Sequence, residues 1–117
     1  MTEKATISDD WLADRAALHD AKTISATLDG KTLSIQIDDE WPNVTRADDG
    51  AVTFGGWLSF EGTEISEGSV EDVAGRFVSE LKLNGKEWVL YLAKPSLFSR
   101  RGRLAFVAEV ANFIPQS

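Results

Sequence analysis

A chain of 117 residues with 43% hydrophobic and 26% charged side chains has the size and apolar content of one domain, 1–117, with no room for a second core. Its net charge of −7, from 12 Lys and Arg against 19 Asp and Glu, opposes general binding to nucleic-acid phosphates and to anionic membrane surfaces. With no cysteine and a single histidine, the chain excludes disulfides, thiolate zinc sites, thiol nucleophiles and any multi-histidine metal site of its own.

Residues 1–7 are polar and expected to fray. The start, Met-Thr-Glu-Lys-Ala, lacks the basic and apolar regions of a secretory signal, and no apolar run approaches the roughly 20 residues that cross a bilayer. A soluble, cytoplasmic protein is the expectation. Ser8 then stands as an N-cap before Asp9 and Asp10, with Ile7 and Leu12 at the spacing of a hydrophobic staple. Trp11, Leu12, Ala16, Leu18 and His19 recur on one stripe, which predicts an amphipathic helix from Ser8 to about Asp20. His19 lies at the edge of that stripe without a visible partner and reads as an ordinary, partly buried histidine.

From Thr23 the apolar period changes from 3.6 to 2. Ile24, Ala26 and Leu28, then Leu33, Ile35 and Ile37, alternate with polar residues around Asp29-Gly30. A two-residue type I′ turn there pairs Ala26 with Leu33 and Ile24 with Ile35, so both apolar sets share a face. Val52 and Phe54 begin a strand toward Phe60, and Gly55-Gly56 predicts a bulge or sharp bend within it. Glu61 to Ser69 reads as a loop rich in Gly, Ser and Glu; residues 69–75 fit either a helical turn or an early strand. Asn84-Gly85 predicts a second hairpin, pairing Leu81 with Trp88, Ser79 with Leu90 and Phe77 with Leu92. Its other face, with Val78 opposite Tyr91, is expected to be covered by the N-terminal helix. Leu104, Phe106, Ala108 and Val110 form the last strand, and Phe113 and Ile114 extend its apolar tail to Pro115. The sum is an α+β fold: an N-terminal helix packed on a bent antiparallel meander of about six strands, or a half-open barrel.

No phosphate-binding, zinc-protease or serine-hydrolase signature is present, so no catalytic residue, cofactor or metal ligand is assigned. The most unusual stretch is 38–50, where Asp38, Asp39, Glu40, Asp48 and Asp49 accompany Trp41. The spacing is not that of a calcium loop, and a glycosidase pair needs two carboxylates at a set separation that sequence cannot show. The stretch reads as a solvated loop, a protein-binding surface, or a metal or sugar site, and Asp38, Asp39, Glu40, Trp41, Asp48 and Asp49 are the candidate partner-binding residues. Charge is also uneven along the chain. Residues 1–74 carry five bases against sixteen acids, net −11, whereas 75–117 carry seven bases against three acids, net +4. Arg100, Arg101 and Arg103, with Lys94 and Phe98, make a second candidate surface for an anion or a partner. Were the two portions on separate faces, the molecule would be bipolar; interleaved, they would neutralise each other.

A small acidic domain with four Trp, clustered carboxylates and no catalytic motif is similar in general character to bacterial immunity proteins and phage-encoded inhibitors. That likeness implies a protein partner with a basic surface, reached with a fast, salt-dependent on-rate. No motif identifies a family. Two alternatives stand beside it: a small-ligand or carbohydrate-binding module using Trp57, Trp88 and Tyr91 on a concave sheet face, and a carboxylate-dependent hydrolase. A homodimer through an edge strand is a further expectation, with the C-terminal strand as the candidate edge.

Overall fold

A computed structural model describes residues 5–13, 18, 21–38, 55–93 and 102–115. Within them the chain is built of strands: β1 (Ala5–Thr6), β2 (Lys22–Asp29), β3 (Thr32–Asp38), β4 (Gly55–Glu61), β5 (Glu64–Glu67), β6 (Val78–Asn84), β7 (Glu87–Leu92), β8 (Gly102–Val107) and β9 (Val110–Pro115). They form two antiparallel sheets, one ordered β1-β9-β4-β3-β2 and the other β5-β8-β7-β6.

This corrects the expected α+β fold. The only α-helical segment among the described residues is α1 (Asp9–Ala13), five residues long. It starts as the sequence suggests, with the Leu12 N–H donating to Ser8 O at 2.9 Å and the Trp11 N–H to Ser8 Oγ at 3.2 Å. It does not run to Asp20, because Leu18 has φ +64°, a left-handed backbone that no α-helix passes through. Trp11 and Leu12 are buried, and the Trp11 ring lies 5.2 Å from that of Phe113 in β9, so this turn seals the core rather than forming a layer over it. Nor are residues 5–7 frayed. Ala5 and Thr6 pair with Phe113 and Asn112, and the Ile7 N–H donates to Ala111 O at 2.9 Å.

Both hairpins form, each with its turn one residue later than expected and its cross-strand partners therefore shifted by two. Asp29 pairs with Thr32 and Asn84 with Glu87, so the turn residues are Gly30-Lys31 and Gly85-Lys86. Each glycine has φ +62° and neither lysine has a positive φ. That is the type II′ pattern, in which only the first central residue needs the left-handed region. Leu28 therefore faces Leu33, and Leu81 faces Leu90. Each hairpin also carries a bulge in its first strand, between Thr23 and Ser25 and between Val78 and Glu80. A bulge inserts one residue and inverts the inside–outside parity beyond it. Thr23 and Val78 consequently turn inward, while Ile24 and Phe77, expected inside, are 45% and 39% exposed.

The sheets join at two corners. At one, β4 runs through Gly62 and Thr63 into β5 while β8 runs through Ala108 and Glu109 into β9, so two paired strands cross together. The region read as a loop from Glu61 to Ser69 thus contains the paired strand β5, and residues 70–72 form a 3₁₀ turn. At the other corner Lys22 bridges Phe77, the Thr23 N–H donates to Arg76 O at 2.8 Å and the Val78 N–H to Ala21 O at 2.7 Å. The core lies between the sheets, with the Phe60 ring edge-on to Phe106 at 4.7 Å and to Trp88 at 5.3 Å.

Gly55-Gly56 makes no bulge; β4 pairs with β3 and β9 in unbroken register. Gly56 instead allows a close approach, since a Cβ there would lie 2.5 Å from Ile114 O and 2.6 Å from Phe113 Cζ. The expected last strand is two, and the C-terminal β9 is not an edge: β1 and β4 flank it.

Candidate functional site

Cross-strand partners at one end of the molecule form a continuous row. Gly55 pairs with Asp38, Asp38 with Lys22, and Lys22 bridges Phe77; next to it Val78 pairs with Leu92, and Leu92 with Gly102. Two of the long connections, 39–54 and 94–101, therefore begin and end on this rim. The sixteen residues 39–54 leave from Asp38 and return at Gly55, and the eight residues 94–101 leave from Ala93 and return at Gly102. The first connection carries four acids and Arg46, net −3; the second carries Lys94, Arg100 and Arg101, net +3. At roughly 4.8 Å per strand, three steps of the row put their starting points about 15 Å apart.

Of the candidate partner-binding residues, Asp38 is described: half-buried at the end of β3, with Lys22 and Gly55 as its register partners. Asp39, Glu40, Trp41, Asp48 and Asp49 lie outside the described residues, as do His19, Phe98, Arg100 and Arg101. Lys22 holds its ammonium 6.0 Å over the exposed Phe77 ring, within range of a cation–π attraction.

Arg103 stands on β8 and grips Glu67 of β5, Nε to Oε2 at 3.2 Å with Nη2 on Oε1. This hydrogen-bonded pairing with Glu67 raises the guanidinium pKa above its already high ordinary value. The Arg103 side chain is thus engaged within the fold, an acid of the first chain portion facing a base of the second. Lys31 and Glu64, both of the first portion, stand 4.0 Å apart and well exposed. Among the described residues the two portions interleave.

Sequence reasoning missed Arg76. Its Nε and Nη2 donate to Ala93 O at 3.1 and 2.9 Å, and a Cβ on Gly102 would come within 2.3 Å of Nη1. The guanidinium therefore lies at the foot of the basic connection, between the residues where it leaves and returns. A lone arginine after Gly75 carries no motif, so only the fold discloses this role.

The opposite end has the tight turns and an open cleft of about 800 Å³, lined by Lys31, Glu64, Leu83, Lys86, Trp88 and Glu109 among others. Trp88 is 4% exposed and packed on Phe60, so its face is not a platform for a sugar ring. Tyr91 is half-buried beside a smaller hollow of about 240 Å³ on the outer face of β6 and β7. Among the described residues no group of three His, Asp or Glu side chains could hold a metal ion, and no helix is long and apolar enough to cross a membrane. No protein-family model, curated protein or solved structure matches the chain.

Proposed function

We propose that this chain is a non-enzymatic interaction domain, of the immunity or inhibitor kind, which engages a basic protein partner through Asp38 and the acidic connection that Asp38 opens. The observation carrying this reading is the row of register partners that gathers both long, oppositely charged connections on one rim, with tight turns at the other end. Binding residues concentrate on long connections held by a rigid scaffold, and connections longer than about 12–15 residues in a compact domain are usually functional. Carboxylates clustered at one place steer a basic surface toward it, and the neighbouring basic connection fixes orientation by repelling a misdocked one. Arg76, bonded to Ala93 O, supports this by holding the foot of that second connection.

A decalysine peptide serves as the first probe, titrated calorimetrically at low and high salt. Replacing Asp38, Asp39, Glu40, Asp48 and Asp49 by their amides is expected to weaken binding more than tenfold. Replacing the same number of acids at the tight-turn end, Asp29, Glu61, Glu64, Glu87 and Glu109, is expected to change it less than threefold. Equal losses in the two variants mean that net charge alone attracts the probe, and they overturn the assignment of the rim.

A further inference from the structure

Four strands end the two sheets: β1 and β2 in one, β5 and β6 in the other. Natural sheets protect such edges with shortness, charge, proline or bulges, because open N–H and C=O groups otherwise recruit another strand. β1 is two residues long, β5 carries Glu64 and Glu67, and β6 exposes Glu80 and Lys82. β2 is the exception. Beyond the corner bonds of Lys22 and Thr23, no backbone hydrogen bond joins its outer edge to a described residue. After the bulge, Ser25, Ala26, Thr27, Leu28 and Asp29 run in regular register with β3, and the only charge among them is at the far end. Leu28 stands on the inner row, opposite the buried Leu33, yet is 42% exposed because no described residue beyond the edge covers it.

We propose that β2 is a self-pairing edge, and that two copies of this chain join antiparallel through residues 25–29 about a twofold axis at Thr27. The sequence is self-complementary in this register. Ala26 meets the partner's Leu28 twice on the inner row, giving each Leu28 its missing apolar neighbour. Ser25 meets the partner's Asp29 twice on the outer row, a hydroxyl donor against a carboxylate. Thr27 meets its own copy, and threonine pairs are favourable cross-strand neighbours. Pairing row to row keeps the apolar side of the sheet continuous, whereas a slip of one residue would set Leu28 against Ser25 or Thr27. Each copy donates the same surface, as a closed twofold dimer requires, and the two sheets become one of ten strands. The rims carrying Asp38 then lie at opposite ends of that sheet, both open. A five-residue ladder is small beside a standard interface, so the dimer is reversible and concentration-dependent.

The chain has no cysteine, which allows a direct test. Thr27→Cys places two thiols on the axis and is expected to form a covalent dimer under mild oxidation at least tenfold faster than Lys82→Cys on the β6 edge. Without oxidant, the weight-average mass of the unmodified chain is expected to approach twice the monomer value between micromolar and millimolar concentration, with amide shifts confined to residues 24–29 and their β3 neighbours. Thr27→Lys, an exposed and outward-facing change, is expected to remove both signatures while leaving the unfolding midpoint in place. Equal cross-linking rates, a monomer at millimolar concentration, or shifts centred on β5 or β6 would each overturn the proposal.

Discussion

Thr23 is the residue whose chemistry most directly decides how the two sheets are held together. It is fully buried at the bulge of β2. Its hydroxyl donates to Val73 O and accepts the Arg76 N–H at 3.0 Å, and it also lies 2.8 Å from Arg76 O. Its own backbone N–H donates to Arg76 O at 2.8 Å, while its carbonyl accepts the Gly75 N–H at 2.7 Å. Thr23→Val preserves the side-chain shape and the backbone pair but leaves a buried acceptor on Val73 and a donor on Arg76 without their partner. A buried polar group so abandoned costs about 1–3 kcal/mol. Arg76 is half-buried and its N–H can turn to water, so the total stays near one full penalty, about 2 kcal/mol. Thr23→Ser keeps the hydroxyl and deletes one buried methyl, a loss of about 1 kcal/mol. Urea unfolding followed by tryptophan emission measures both, and an unchanged m-value shows that the unfolded state is the same. The expected order is wild type, then Ser, then Val. Val at or above the stability of Ser would show that packing, and not the hydroxyl, closes this corner.

Gly56→Ala is expected to cost about 2–3 kcal/mol in the same assay, because its Cβ meets a backbone carbonyl and an aromatic ring inside a three-strand ladder. Gly30→Ala, with nothing within 4 Å of its Cβ but a φ of +62°, should cost only the left-handed penalty of about 1 kcal/mol; equal costs at the two sites would contradict the close-approach argument. Phe60→Ala removes the ring shared by Phe106 and Trp88 and should cost about 3–5 kcal/mol with a red shift of Trp88 emission. The Ser69 hydroxyl on the Glu71 carboxylate, followed by a backbone hydrogen bond, holds that carboxyl below its ordinary pKa of 4.5. The associated stabilisation is full above pH 4.5 and is lost as pH falls through the lower folded-state value. Ser69→Ala should move the Glu71 carboxyl resonance titration upward in NMR; no movement removes the hydroxyl as the cause.

The hairpins show what a single sequence discloses and where it stops. Period-2 alternation and the Asp-Gly and Asn-Gly pairs located β2–β3 and β6–β7, because alternation and turn chemistry are local properties. The turns were placed one residue early and the partners two residues off, since the dipeptide says that glycine takes the left-handed position and not whether that position is first or second in the turn. Both Asp29-Gly30-Lys31 and Asn84-Gly85-Lys86 chose the first. The bulges were not legible at all. Nothing local marks Ile24 or Ser79; they follow from the corner, where Thr23 and Val78 must turn inward to meet Arg76 and Ala21. The helix failed for the complementary reason. Its capping residues were read correctly, but Leu18 takes a left-handed φ inside a tertiary context that overrides propensity. Of the candidate site, the clustering of acids was visible, whereas the rim that gathers both connections depends on strand order.

Strand order also changes what the charge count means. The −11 and +4 portions of the chain suggest two faces only if the portions fold separately, and they do not. The uncharged β9 of the second portion stands between β1 and β4 in the first sheet, while β5 of the first portion borders β8 in the other. There Arg103 meets Glu67 across the two portions, yet outside residues 39–54 and 94–101 the first portion still carries −8 and the second +1. Against that acidic background stand a connection of −3 and one of +3 whose origins lie on one row about 15 Å apart at roughly 4.8 Å per strand. The Debye length is about 10 Å at 0.1 M salt, shorter than that separation. At physiological salt the two origins are therefore separated by more than a screening length. A surface that answered both would carry a basic patch and an acidic patch at matching distance. Such a surface discriminates against uniformly basic competitors, which the +3 connection repels, and the net charge of −7 alone could not provide that discrimination.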